Sequence, residues 1–486
     1  MKILKICFFS LQIFLLSSFC FASESVEDLL KSYLKNSLTL LKLSSQVENQ
    51  ILENQSVKIE NGFNIQISSG NVQVEFEDSP KISFSPSVSF GLPQADNLTL
   101  TVSSDFDIAG KNSSVSNTSF SLSADIYSSS MATRKITLEK AARNLLEIQR
   151  ELQNGFLSVE TEFYTNLKTL YELAANVELA QNDLYEDELD FEKIKAQGYS
   201  SASSTYRLAQ MKVISDKYKV EQYKHSLFSE VKIFAVKCDV EFLSDDVWTF
   251  LPFEIPQVEA VDIESFKKED FADIENAVWT HQINQKTRDA DKSFSIKASA
   301  GYTFDNEISS NNYMNTVDGG TSFTWNDSGL TANFGVSVPI SEPNPIYKFG
   351  FSVVPNQFRL AKISEQQKEL ESEQEKISIQ SAENNYETTF ISQKSELDDI
   401  QFNKEKNKET YELYNQLEKD MILYYERGLI SESEYKSAQT NKENYRIQCL
   451  INDIELIIYN NKTKQFFNRD DEVELKFELS GKNLAP

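Results

Sequence analysis

Phe63 to Gly70 reads FNIQISSG, and Phe294 to Gly301, 231 residues later, reads FSIKASAG, with Phe, Ile, Ser and Gly at matching places. A second pair of landmarks follows much further along each stretch. Gln197-Gly198 precedes Ala209-Gln210, and Arg427-Gly428 precedes Ala438-Gln439, the glycines lying 230 residues apart. Two distant landmarks that keep one spacing make the chain a tandem duplication. The interval from glycine to alanine is eleven residues in the first copy and ten in the second, which places an insertion in the first copy's turn.

Each copy reads in the same order: a helix, a block of alternating strands, a very long helix, a glycine turn and a shorter helix. The first repeat takes 23–238, with strands over about 62–130 and its turn near 198; the second takes 267–467, with strands over about 293–354 and its turn near 428. Between them, 239–266 holds Pro252, Pro256 and Trp248 among several Phe and Val, which reads as a compact connector. Residues 468–486 form a polar tail.

The strand blocks alternate regularly. Leu330, Ala332, Phe334, Val336, Val338 and Ile340 interleave with Thr331, Asn333, Gly335, Ser337 and Pro339, and the first copy repeats the pattern at Ile82, Phe84, Val88 and Phe90 and again at Phe120, Leu122, Ala124 and Ile126. One face is apolar and the other polar. A sandwich over a core would use such strands, and so would a barrel with lipid outside and water inside. The Ser, Thr, Asn and Gly on the polar face, and Tyr302, Phe304 and Trp325 near strand ends, favour the barrel. Up to four alternating segments are visible per copy. One of them, Asn71 to Glu77, switches register after Gly70. Eight strands could close alone or join a larger pore, or some could be extracellular hairpins.

From Leu138 the positions Ala142, Leu145, Ile148, Leu152, Phe156, Val159, Phe163, Leu167, Leu170, Leu173, Val177, Ala180 and Leu184 recur at alternating threes and fours, a coiled-coil seam. At a rise of 1.5 Å per residue the helix over about 134–197 would be roughly 95 Å long, and its counterpart over about 356–427 roughly 105 Å. The second carries a thinner stripe at Ile363, Leu370, Ile377 and Ile391. We expect one protomer to be unable to bury these stripes on itself. The return helices, 203–238 and 431–467, are shorter, and the opening helices, about 25–56 and 268–290, have the length to complete each column.

The N-terminus, MKILKICFFSLQIFLLSSFCFAS, sets Lys2 and Lys5 before an apolar run and reads as an export signal over 1–22; lipidation of Cys20 is disfavoured by the bulky Phe19. Beyond it, no run of about eighteen apolar residues is found, so a membrane crossing would have to be made of strands. The chain has 48 basic and 74 acidic residues, a net charge of −26 that becomes −28 once Lys2 and Lys5 leave with the signal. That balance argues against nucleic acid and anionic lipid as partners. With 14 Gly and 10 Pro among 486 residues, long regular elements are expected. Cys238 and Cys449 both lie in helical sequence and read as packed thiols.

This order of elements resembles the TolC-like outer-membrane efflux proteins over nearly the whole mature chain. YERGLISESEYKSAQ, Tyr425 to Gln439, is similar to that family's periplasmic tip, and KAQGYSSASSTYRLAQ, Lys195 to Gln210, is a looser version with Tyr199 in place of leucine. The resemblance implies a mixed α and β membrane protein: a tandem-duplicated protomer giving a trimeric outer-membrane β-barrel continued by a long periplasmic α-helical coiled-coil barrel. It also implies four strands per protomer and an exit duct for efflux or type I secretion. In that family the tips meet a periplasmic adaptor, the membrane fusion protein, which joins them to an inner-membrane pump. The docking role then falls on Gln197, Gly198, Ser200, Arg427, Gly428, Leu429 and Ser431. Some members narrow the tunnel with acidic residues six and nine positions after the second tip glycine. Here these are Glu434 and Ser437, which supports one carboxylate ring at most. Without the family, Gly198 and Gly428 are helix-ending glycines, and Ser431 with Glu434 is a capping box.

No phosphate-cradling loop, His-Glu-x-x-His or Gly-x-Ser-x-Gly is present, and His225 and His281 read as lone surface histidines. No enzymatic activity, cofactor or metal is expected, and energy for transport would come from partners. The competing readings are a secreted coiled-coil structural or adhesive protein and a periplasmic adaptor.

Overall fold

The first copy opens with helices α1 (Val26–Asn36) and α2 (Leu38–Glu60), then strands β1 (Asn64–Ser68), β2 (Val72–Glu75), β3 (Lys81–Phe84), β4 (Ser87–Leu92), β5 (Leu98–Ala109) and β6 (Asn112–Tyr127), and ends with helices α3 (Ser130–Ala196) and α4 (Ser204–Lys237). The second opens with α5 (Ala272–Ala290), runs through β7 (Phe294–Glu307), β8 (Asn312–Trp325), β9 (Leu330–Pro339) and β10 (Ile346–Val353), and ends with α6 (Gln357–Glu426) and α7 (Glu432–Gln465). The computed structural model describes residues 25–468 except 77–79, 110–111, 243–246, 248–249, 253, 308–311 and 341–343. The expected export signal and all but the first residue of the expected tail lie outside the described residues. Two compact units share the chain. One takes Ser44–Glu151 and Phe271–Tyr386; the other takes Leu152–Asp270 with the chain before Ser44 and after Tyr386.

The first unit holds the sheet. Its strand order is β1-β4-β5-β6-β7-β8-β9-β10, antiparallel at every step, with β2 paired to β3 and β3 also paired to β5. β3 and β4 meet β5 in one unbroken register, since Phe84 faces Phe106 and Ser87 faces Ser103. They are one strand in two pieces. β1 and β2 are likewise one strand, but its register slips by one residue at the break, from Ser68 opposite Ser87 to Val72 opposite Phe84. Gly70 sits in the break at φ +65°, and a Cβ there would lie 2.1 Å from the carbonyl oxygen of Ser85. This is a bulge built on a left-handed glycine.

Around the sheet's connections, helices pack in the same unit. Ile283 and Ala290 of α5 bury against Ile136 of α3, with Trp279 alongside. Arg143 of α3 forks onto Glu275 of α5, where Arg150 joins it at 3.2 Å. Glu375 of α6 receives three partners from one face of α5: Nδ1 of His281 at 2.8 Å, Asn284 at 2.9 Å and both terminal nitrogens of Arg288 at 2.8 Å. His281, expected to be a lone surface histidine, is therefore part of an inter-helix cluster. Its partner comes from a helix some ninety positions along the chain, beyond the reach of local pattern.

The second unit is a layer of helices ordered α4-α3-α7-α6. Lys219 reaches Asp183 between α4 and α3, Lys168 meets Glu455 at 2.6 Å between α3 and α7, and Lys442 meets Glu418 at 2.6 Å between α7 and α6. Leu152, Val159, Phe163, Leu167, Leu170, Val177 and Ala180 of the expected seam are buried. That corrects the expectation that the chain leaves both stripes uncovered. α1 supplies Leu29 and Tyr33 to the α3 seam, Tyr33 lying edge-on to Phe163 with ring centroids 5.4 Å apart, and Phe234 of α4 completes the cluster. The connector adds Leu251 and Ile255 to the buried set, and Tyr171 donates to the Pro252 carbonyl. Its later part is tied to α7, where Asn460 donates to the Glu259 carbonyl at 2.8 Å and Phe266 stacks on Phe467. The α6 stripe, in contrast, stays exposed: Ile377 and Ile391 show 64% and 68% of their surface. Cys238 is buried and Cys449 half-buried, and neither forms a disulfide.

Arg288 above all, with His281 and Asn284, holds the Glu375 carboxylate at about 2 against an ordinary 4.5, although burial opposes it. A depressed folded value means the stabilisation is complete above pH 4.5 and drains away as pH falls toward 2. The thermal midpoint of the wild-type protein in detergent should fall across that window. Glu375→Gln should flatten the fall, and Arg288→Ala should cost about 1.5–3 kcal/mol at neutral pH, the range for hydrogen bonds to a charged group. An unchanged acid profile in Glu375→Gln would remove the cluster as its cause.

Candidate functional site: a two-faced sheet and two helical tips

Reading across the sheet at one level gives Ile65, Phe90, Leu100, Leu122, Ala300, Gly319, Val336 and Tyr347, each directly opposite the next. This apolar row runs from one edge of the sheet to the other. One residue along, the opposite face reads Gln66, Ser89, Thr101, Ser121, Gly301, Asp318 and Ser337. On that polar side the hydroxyls of Ser89 and Thr101 bond at 2.9 Å, and those of Ser103 and Ser119 at 2.6 Å. Backbone pleating alone produces the division, because successive side chains point to opposite faces.

Three irregularities would scramble that division if the sequence did not answer them. After Gly70 the apolar residues change from odd positions, Ile65 and Ile67, to even ones, Val72 and Val74, and the bulge returns both sets to one face. In β6 the change runs from Val115 to Phe120 and Leu122, and the register shift falls at Asn117, which takes φ +50°. Near the end of β6 a third shift sets Tyr127 opposite Ile296. Each bulge coincides with a change of parity in the sequence. At Gly70 a glycine marks the switch in the sequence; at Asn117 no glycine does.

The apolar face is open. Phe90, Leu100, Phe120, Leu122, Phe334, Phe349 and Phe351 are all exposed. Tyr127, Phe294 and Phe323 cluster at the end of the sheet where the helices attach, the Tyr127 and Phe294 rings stacking at 4.7 Å, and Trp325 ends β8 there. An aromatic group at the limit of an exposed apolar band suits a boundary between hydrocarbon and water. Among the described residues no helix is long and apolar enough to cross a membrane. No group of His, Cys, Asp and Glu among them is placed to hold a metal ion.

Both tips belong to the helical unit, and every residue singled out from sequence is exposed there: Gln197, Gly198, Ser200, Arg427, Gly428, Leu429, Ser431 and Glu434. At the second tip Gly428, at φ +68°, donates to the Tyr425 carbonyl at 2.9 Å, and Leu429 donates to that of Tyr424 at 2.9 Å. That pair of bonds is a Schellman closure. Ser431 then caps α7, accepting from the Glu434 amide, while the Glu434 carboxylate accepts from the Ser431 amide at 2.8 Å. These bonds from Ser431 hold the Glu434 carboxylate below its ordinary value. The first tip is looser. Gly198, at φ +76°, closes on Lys195, Ser200 accepts from the Ala202 amide, and the cap of α4 falls on Ser203.

Aromatic contacts not anticipated from sequence brace the tips. Tyr425 and Tyr435 stack across the second turn with centroids 5.6 Å apart, and Lys436 lies 3.8 Å from the Tyr185 ring, joining α7 to α3. The only signal available was an excess of Tyr near the turn.

What fold and site define together is a chain with a two-faced antiparallel sheet and two long helical hairpins. Residues 29–255 match the TP096X N-terminal domain, and residues 256–470 match the TP096X C-terminal domain. The boundary between the matches falls within the connector. No curated protein matches the chain. Among solved structures, the chain is similar to a membrane protein from Pseudomonas aeruginosa at 12% identity, covering 93% of both chains with a TM-score of 0.48. It is also similar to the Campylobacter jejuni CmeC outer membrane channel at 11% identity, over 93% of this chain and 88% of that one, TM-score 0.47. The outer membrane protein VceC of Vibrio cholerae matches at 12% identity over 90% and 95%, TM-score 0.46.

The two kinds of left-handed glycine should respond differently to substitution. Gly428→Ala meets open space and strains only the backbone, so it should cost about 1 kcal/mol. Gly70→Ala adds a collision with the Ser85 carbonyl and should cost clearly more, by thermal unfolding of the purified protein. Equal costs would mean that the bulge relaxes freely.

Proposed function

We propose that the chain is one subunit of a passive outer-membrane duct. Three copies close a β-barrel with the apolar row facing lipid and the Ser, Thr and Asn face lining water. The helical part stands in the periplasm and carries efflux or type I secretion traffic. The observation that carries this reading is the exposed apolar row running the full width of the sheet, with hydroxyl-lined backbone behind it. In water such a face would be an aggregation hazard; in lipid it is the required surface.

A second feature favours several copies over one. The outermost helices of the layer each expose apolar side chains along one side: Leu208, Met211, Ile214 and Tyr218 on α4, and Phe402, Leu413 and Leu417 on α6. Setting copies side by side would cover α4 of one with α6 of the next. The exposed tips, with Leu429 showing 67% of its surface, are then free at the periplasmic end to meet the helical hairpins of an adaptor and, through it, an inner-membrane pump. Glu434 belongs to this proposal as a ring of three carboxylates; within the single chain its bonds are those of a cap.

Outer-membrane fractions should contain a heat-modifiable trimer that needs detergent for extraction. Release by salt alone would overturn the duct in favour of an adhesive or adaptor protein. In planar bilayers the pore should prefer cations. Glu434→Gln keeps a capping partner at the third helical position while deleting the charge, so it should weaken that preference without loss of thermal stability, and Glu434→Lys should invert it. Unchanged selectivity in both variants would leave Glu434 as a cap alone.

A further inference from the structure

We infer that all eight strand positions of each copy enter one barrel wall, with β10 of one copy pairing antiparallel to the β1–β2 strand of the next, so that three copies close on twenty-four strands. The inference rests on the reading of the sheet as a lipid-facing wall shared by several copies, and extends it to the edges of the sheet. The four strands per protomer implied by resemblance would give half that number.

Three observations support the edges as the joining surface. First, β1, β2 and β10 are hydrogen-bonded along one side only among the described residues. Because each of the seven steps from β1 to β10 is antiparallel, the first and last strands run in opposite directions. An even count of this kind can join head to tail and close while remaining antiparallel throughout. Second, the apolar row reaches both edges at the same level, ending in Ile65 on one and Tyr347 on the other. Joining the edges, with the stagger a barrel requires, keeps the apolar face continuous. Neither hairpin at the ends of the sheet is set apart from the wall in its pattern. Third, the edges carry little of the usual protection. β1 reads NIQIS and β10 reads IYKFGFSV, without proline, and the one lysine, Lys348, lies opposite Gly335 on the polar face. Exposed edges in water-soluble sheets are blunted by lysine, proline or a bulge. The one bulge here, at Gly70, restores side-chain facing and leaves Val72 and Val74 on the apolar side.

Closure of one copy on itself fits the side chains poorly. A barrel of about eight strands has an interior that side chains just fill. The inward face here mixes small Ser, Thr and Gly with the charged Lys81, Asp107, Asp125, Lys297, Asp318 and Lys348, groups that call for water rather than a packed interior and suit a wide bore.

The test is disulfide trapping across the edges, using Gln66→Cys combined in turn with Lys348→Cys, Gly350→Cys or Ser352→Cys, all on the polar face. The parent chain, with Cys238 and Cys449 as its thiols beyond the export signal, is the blank. On denaturing gels without reductant, at least one combination should shift the outer-membrane protein from protomer mass to a closed product three times as large, reverting with reductant. Particle images in detergent should then count twenty-four strands. A bond formed only within one chain overturns the inference and leaves a self-closed barrel. Twelve strands in an outer-membrane trimer overturns it and leaves the duct standing. A protein absent from the membrane fraction overturns the duct itself.

Discussion

The pleat of an antiparallel strand is what everything else in this molecule has to respect. With a period of two, one slipped residue sends a whole strand's apolar set to the wrong side. The sheet tolerates slips at Gly70, Asn117 and the end of β6 because the sequence changes parity at the same places. A core-facing sheet could absorb an occasional misplaced side chain by local repacking. A wall with lipid on one side and water on the other cannot, since a polar group turned into hydrocarbon finds no partner there. The matched slips keep each face of the sheet of one kind from edge to edge.

The two helical columns have divided their work unequally. The α3 seam is covered within the chain, by Tyr33 of α1, Phe234 of α4 and the connector around Pro252, which makes it the structural spine of the helical unit. α7 is similarly sunk, with Ile447, Ile451, Ile454 and Tyr459 buried. Those two central helices leave α4 and α6 at the outside, where Leu208, Met211 and Ile214 of α4 and Phe402 and Leu413 of α6 stay exposed among the described residues. Burial of an exposed Leu or Ile stabilises by roughly 1.5–3 kcal/mol, so several such residues on each flank give copies ample reason to associate. Flanks of the helical layer and edges of the sheet are thus incomplete in the same sense.

Much of this was legible in the sequence. The duplication, the order of elements, the ends of the four long helical segments and both tip glycines follow from spacing and periodicity, and the capping box at Ser431 and Glu434 is present as read. The break between α1 and α2 at Ser37 was not foreseen, since no proline or glycine marks it. Nor was the self-cover of α3, because a heptad seam states that a partner is needed without saying whose. The Glu375 cluster and the Lys436–Tyr185 contact join distant positions and leave no local pattern. The strand count stood open for a different reason: alternation identifies a strand but says nothing about its neighbours, and only the registers from Asn64 to Val353 place all eight positions in one sheet.

The difference between the tips follows from the duplication itself. Both turns close with a left-handed glycine, but the first copy carries one more residue before its Ala-Gln pair, and the extra length is taken up by a serine-rich bend from Ser200 to Ser203 before α4 can be capped. The second turn spends no residue in this way: Schellman closure, Leu429 and the Ser431 cap follow in immediate succession, with Tyr425 and Tyr435 stacked across the base. A turn fixed by that many local bonds presents the same surface each time it meets a partner and loses less conformational freedom on binding. Local bonding thus makes the second tip the more rigid of the two and leaves the first, with its serine-rich bend, the more adaptable.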